Sequence, residues 1–199
     1  SQGVSASALA KISPLLIQPH ITHLLSGFAY WLHTKKPGGF ASEGEICREL
    51  GKEWTRLNGR AWREEDPKIE KIMKEFLHAV LQQTGILVED TPRWYGFAHL
   101  TFEEYYAACY LIANSQKRVQ HIRTYLHDPR WQEPILLALG LVGRESQEEA
   151  HMLVETAILA NGEQARAERL EASPYEALLG RDYLFALLCL GNDIPVHPT

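Results

Sequence analysis

Among the side chains able to do chemistry, His99 has the most distinctive setting. It lies in the run Tyr95-Gly96-Phe97-Ala98-His99-Leu100-Thr101-Phe102-Glu103-Glu104-Tyr105-Tyr106-Ala107-Ala108. An imidazole donates a hydrogen bond to an anionic oxygen whether neutral or charged, and the charged bond is the stronger. The spacing places His99 two residues before a predicted helix start, where anions are favoured. Other candidates are poorer. His20 and His23 share a helix face at i,i+3, but zinc needs about four ligands and none stands nearby, so both read as helix-surface residues. Glu103 and Glu104 are neighbours and point about 100° apart on a helix, which does not suit a paired acid/base site. Cys109 sits among Ala107, Ala108 and Leu111 and reads as core rather than nucleophile. No G-x-S-x-G elbow occurs. Trp54, Trp62, Trp94 and Trp131 read as packing anchors, because no alternation of basic and aromatic residues surrounds them.

The elements that must position these groups are mostly helical. Residues 1–14 read as a tail or linker. A first helix over about 15–33 carries Ile21, Leu24, Phe28 and Trp31 at helical spacing. Lys35-Lys36-Pro37-Gly38-Gly39 ends it in a loop. Ser42 and Glu45 form a capping box for a second helix with Ile46, Leu50 and Trp54 on its apolar side. Residues 55–65 read as a loop turning at Asn58-Gly59. Asp66-Pro67 starts a third helix, with an apolar face of Ile69, Ile72, Met73, Phe76, Val80 and Leu81 and a supporting Glu70–Lys74 pair, stopped by Gly85. Residues 86–88 and 94–100 read as a hairpin around the turn 89–93. Three helices followed by a hairpin is the order of a winged helix. Strand alternation puts His99 on the side of Phe97 and Tyr95. Thr101 and Glu104 form the next capping box. Further helices are expected over 119–127, after Asp128-Pro129 (with Pro134 as an alternative start), from a Ser146/Glu149 cap to Asn161-Gly162, and from a Ser173–Glu176 cap to about Gly191, with a break at Gly180. The expected fold class is therefore mainly α: a winged-helix domain over 15–100, then a helical bundle or HEAT-like helical domain over 101–199.

Composition narrows the function classes. The 199 residues include 20 Lys+Arg and 25 Asp+Glu, for a net charge of −5, with 45% hydrophobic and 23% charged residues. These values exclude a disordered chain, a collagen-like repeat and a strongly basic nucleic-acid binder. Cys47, Cys109 and Cys189 are few, odd in number and far apart, which fits a reducing compartment. The longest apolar run, Ile135–Val142, is far short of a membrane span. No basic-then-apolar secretory signal opens the sequence, and a cytoplasmic location is expected. Charge is uneven: residues 1–144 carry 17 basic and 15 acidic side chains, whereas 145–182 carry 3 and 9.

The His99 run resembles a pattern of NACHT-type STAND nucleotidases: apolar-His-apolar-Ser/Thr-Phe-Gln/Glu-Glu-Tyr/Phe followed by small residues. There it joins the winged helix to the next helical domain. Three other stretches are similar to that family: His23-Leu24-Leu25-Ser26-Gly27-Phe28-Ala29-Tyr30-Trp31-Leu32-His33, Phe76-Leu77 through Gly85-Ile86-Leu87-Val88-Glu89, and Trp131-Gln132-Glu133-Pro134-Ile135-Leu136-Leu137-Ala138. The resemblance covers roughly residues 20–145. The family's ATPase loop, G-x-x-x-x-G-K-[ST], and its magnesium-binding acids are not found in this sequence. Gly38-Gly39 runs into Phe40, and no Gly-Lys-Ser/Thr occurs.

The resemblance thus implies a non-catalytic fragment lying C-terminal to the nucleotide-binding domain of a larger ATPase, with ADP/ATP and magnesium belonging to that parent. It implies that His99 reaches the β-phosphate of ADP and helps hold a closed state, and that nucleotide exchange frees the winged helix to rotate. The nucleotide-binding domain of the same parent chain is the implied partner, and the parent is expected to homo-oligomerise. The residues themselves leave a second reading of His99 open, as a structural bridge between hairpin and helix. A winged helix also invites nucleic acid, through Lys68, Lys71 and Lys74 on the third helix and Arg93 on the wing. Residues 48–75 balance 8 basic against 7 acidic side chains, a weak electrostatic footprint. A free-standing helical protein-interaction domain is the third class.

Overall fold

The computed structural model describes residues 20–59, 66–192 and 194. The expected linker over 1–14, the start of the first helix before His20, the loop residues 60–65 and Trp62 lie outside these. The chain divides into two compact units, up to Tyr110 and from Leu111.

In the first unit, α1 (His20–Lys35) buries Leu24, Leu25, Phe28 and Leu32 completely. Strand β1 (Phe40–Ser42) and helix α2 (Glu43–Leu57) follow. The Ser42 box forms: the Glu45 carboxylate accepts from the Ser42 backbone N–H at 3.0 Å and from its hydroxyl at 2.9 Å. The helix runs past Trp54 to Leu57, so the loop expected from residue 55 begins later, at Asn58, whose backbone N–H closes onto Trp54 at 3.2 Å. Thr55 is buried and its hydroxyl bonds the Lys52 carbonyl, which lets a β-branched polar residue stay helical. Helix α3 (Pro67–Gln83) starts as read: Asp66 accepts from the backbone of Lys68 and Ile69, and proline takes the first position.

Strands β2 (Leu87–Thr91) and β3 (Trp94–Phe97) form the wing. The sheet has three antiparallel strands in the order β1-β3-β2, so it is larger than the expected hairpin. Phe40 pairs with Gly96 and Leu87 with Phe97. Gly96 is what permits β1 to close on β3. A Cβ there would lie 2.3 Å from the Gly39 carbonyl oxygen and 2.7 Å from the Phe40 ring. Helix α4 (Leu100–Ile112) follows.

In the second unit, α5 (Arg118–Tyr125) leads to a 3₁₀ turn opened by Asp128, whose carboxylate accepts from the Arg130 backbone. Helix α6 (Gln132–Glu145) therefore begins before Pro134, which sits in its first turn where the missing N–H costs little. Trp131 is fully buried and stacks on Tyr125 with ring centroids 4.0 Å apart. Ser146 caps α7 (Gln147–Leu153) through Glu149, as read, and the chain continues in a π turn to Ile158. A short helix α8 (Gly162–Ala167) was not anticipated. The expected last helix is two: α9 (Glu176–Leu179) and α10 (Arg181–Gly191), broken at Gly180 with φ 57°. Among the described residues, no helix is long and apolar enough to cross a membrane.

Candidate functional site

His99 lies in the two-residue bend between β3 and α4 rather than on a strand. This corrects the expected return strand over 94–100: β3 ends at Phe97, and Leu100 is already helical. It also removes the alternation argument that put His99 beside Phe97 and Tyr95, which are buried while His99 is exposed. Thr101 is likewise inside the first turn of α4 rather than its cap. The first-turn bond instead runs from the Phe102 N–H to the His99 carbonyl at 3.0 Å. The imidazole sits 5.8 Å from the Phe102 ring, centroid to centroid. Leu100 (62%) and Phe102 (38%) are exposed beside it.

The bend is fixed from both sides. The Ala98 N–H donates to the Ile86 carbonyl at 2.9 Å, carrying the sheet pairing up to the residue before the histidine. Phe97 stacks on Phe28 of α1 at 5.5 Å and meets Tyr106 of α4 at 5.8 Å. Beyond the bend, the Glu103 carboxylate is buried and lies 2.7 Å from His33 Nδ1 on α1. Further along the same helix pair, Tyr30 stacks on Tyr110 at 4.1 Å. Sequence reasoning weighed Glu103 only as a partner of Glu104 and gave His33 no role of its own. The usable signal was a carboxylate within the apolar run of α4, three residues before the Tyr106-Ala107-Ala108 core stretch.

Of the cations proposed for nucleic acid, Lys74 and Arg93 each lie beside a carboxylate. Lys68 and Lys71 are exposed. The Lys74 ammonium is 2.8 Å from Glu70 and 3.9 Å from Glu43, and hydrogen bonding to Glu70 raises its pKa. The Arg93 guanidinium lies 3.6 Å from Glu43, at a residue with φ 67° in the wing turn. Glu43 thus ties the start of α2 to both α3 and the wing.

The remaining candidates have structural places. His23 Nε2 is 3.2 Å from the Glu53 carboxylate, which also takes Arg56. Burial would raise the Glu53 pKa, but hydrogen bonds from His23 and Arg56 outweigh it and lower the value. His20 is exposed at the start of α1. Burial pushes the thiols of Cys47 and Cys189 up to about 12 and that of the half-buried Cys109 upward, away from nucleophile chemistry. Trp94 is 45% exposed, so it is not the packing anchor expected of it.

In the second unit, His127, Ser173 and Asp182 come together. His127 Nε2 is 2.6 Å from Ser173 Oγ and 3.0 Å from Asp182 Oδ1. A hydrolytic relay needs the carboxylate on one ring nitrogen and the hydroxyl on the other. Here both meet Nε2, and Asp182 Oδ2 also accepts from the Ser173 backbone N–H at 2.9 Å. The cluster is a clasp holding α10 to the end of α5. Ser173 was expected to cap the following helix, but its hydroxyl serves His127 instead. Glu176 does the capping, accepting from the backbones of Asp182 and Tyr183.

Residues 23–111 match the family model described as a winged helix-turn-helix domain C-terminal to NACHT. The match runs from His23, the fourth residue of α1, through all but the last residue of α4, including His99 and its supports. It agrees with the resemblance carried by the sequence motifs, and the family described is not itself the nucleotide-hydrolysing domain. Comparison with curated proteins and with solved structures gives no match.

Proposed function

We propose that this chain is a non-catalytic regulatory module of a NACHT-type signal-transduction ATPase. In this reading it stabilises the ADP-bound closed state of the parent and relays nucleotide exchange to oligomerisation. The observation that carries the reading is the place of His99: an exposed imidazole on a rigidly held bend, inside the segment that matches a domain following NACHT. His99 donates a hydrogen bond to a phosphate oxygen of ADP bound to the preceding nucleotide domain. Such a contact costs little ordering entropy, because neighbours on both sides already fix the backbone. When ATP replaces ADP the contact is lost, and the winged helix turns as a rigid body. The sheet and three helices around Phe28 form a core able to move as one piece.

The nucleic-acid reading draws less support from the surface. Lys74 and Arg93 face Glu43, and a cation already neutralised by a carboxylate releases fewer counterions on binding a phosphate backbone.

The test is direct. The coding sequence upstream should contain a phosphate-binding loop of the G-x-x-x-x-G-K-[ST] type, and the parent protein should purify with ADP bound. An upstream sequence without that loop would end this reading.

A further inference from the structure

We infer that Glu103 is a positioning residue for His99: its buried pairing with His33 sets the first turn of α4 and thereby the presentation of the histidine. The inference rests on the role proposed for His99.

The pair is costly to build. Both side chains are only 7% exposed, and the distance from His33 Nδ1 to Glu103 Oε1 is 2.7 Å. Burying a carboxylate is unfavourable unless it is paired and hydrogen-bonded, and a well-packed apolar pair often stabilises a fold as well or better. What a polar pair supplies and an apolar one does not is a defined distance and direction. Apolar contacts with Tyr106, Ala107 and Ala108 would bury this face of α4 over a range of rotations about its axis. A short bond to a ring nitrogen on α1 permits one.

That choice of rotation matters at the neighbouring positions. Glu103 points inward, whereas Leu100 and Phe102 point outward and His99 precedes them in the bend. The Phe102 N–H bonds the His99 carbonyl, so turning the first turn of α4 turns the His99 peptide with it. The sheet side of the bend is already fixed by Phe97 and by Ala98 bonding to Ile86. The Glu103–His33 pair supplies the matching restraint on the helix side. The α1–β1 loop lies beside the carboxylate: an added Cβ on Gly39, itself at φ 73°, would lie 3.7 Å from Glu103 Oε2, an ordinary van der Waals distance.

The experiment is a double-mutant cycle in the full parent protein, reading the ADP dissociation rate well below the melting temperature of each variant. His99→Ala should speed release about tenfold or more, as expected for a lost bond to a charged group. Glu103→Ala should speed release by roughly five- to tenfold. The two together should lie within about twofold of His99→Ala alone, because both act through one contact. Glu103→Gln keeps the size and an acceptor for His33, so it should restore release to near the wild-type rate and serves if Glu103→Ala folds poorly. A purely structural Glu103 would lower the melting temperature without this coupling. Wild-type release in Glu103→Ala, or effects that multiply fully in the double variant, would overturn the inference while leaving the role of His99 intact. No change in His99→Ala would overturn both.

Discussion

The Glu53 side chain of α2 crosses α1 at Gly27, where a Cβ would stand 2.2 Å from Glu53 Cγ and 2.4 Å from Cδ. The glycine is buried, and the space it leaves lets Glu53 reach His23. Gly27→Ala should destabilise the chain by about 1–3 kcal/mol, the usual cost of overpacking. Glu53→Ala removes the obstruction, so the double variant should lose less than the two single losses added. Urea midpoints of the four proteins test this, and strict additivity would show that the contact is not what constrains Gly27.

The wing depends on a second close approach. Gly96→Ala places a methyl group against the Gly39 carbonyl and the Phe40 ring, and the backbone oxygen cannot swing aside. We expect a loss of about 2 kcal/mol or more, with β1 leaving the sheet. Gly140, in the interior of α6 with nothing within 4 Å of an added Cβ, gives the contrast. Gly140→Ala should gain roughly 0.5–1 kcal/mol through helix propensity. Thermal melting of the two variants should move in opposite directions.

Stability should fall in acid through Glu45. The hydrogen bond from Lys36, with that from the Ser42 backbone, lowers its pKa from 4.5 to about 2. A depressed carboxylate contributes stability above its ordinary value and loses that contribution as pH drops through the folded one. The urea midpoint should therefore decline between about pH 5 and 2. Glu45→Gln should flatten part of that decline, while its amide oxygen keeps an acceptor for the Ser42 backbone N–H. A variant curve parallel to wild type down to pH 2 would contradict the assignment.

Duplex DNA should bind weakly. With Lys74 and Arg93 engaged by Glu43, we expect a dissociation constant no tighter than about 10⁻⁵ M at physiological salt, and a log–log salt slope near −2 from Lys68 and Lys71. Fluorescence anisotropy with a short labelled duplex measures both. Tight binding with a steep slope, weakened by Lys68→Ala and Lys71→Ala, would favour the nucleic-acid reading.

Much of the first unit was legible in the sequence because local signals and packing agree there. The Ser42–Glu45 box, the Asp66-Pro67 start and the Glu70–Lys74 pair all formed where their spacing put them. Strand β1 was not legible, since three residues in a loop become a strand only by pairing with Gly96, more than fifty positions away. The β3–α4 boundary was misplaced because Thr101 and Glu104 carry a capping pattern that the tertiary structure does not use. With Glu103 buried against His33, the helix starts at Leu100, two residues earlier than that pattern implies. That pair is seventy positions apart, so no local spacing joins its two members, and only the carboxylate in the apolar run of α4 hinted at it. In the second unit, Ser173 and Glu176 had the look of one cap, but His127 drew the serine hydroxyl away and left the glutamate to cap the next helix.

The central claim is that His99 holds ADP in the parent protein, and the rate at which the purified parent releases ADP tests it most directly. His99→Ala should accelerate release about tenfold or more, as loss of a hydrogen bond to a charged group implies, and should raise basal oligomerisation. An unchanged release rate together with unchanged oligomerisation would contradict the account and leave His99 as an exposed residue of the bend between the wing and α4.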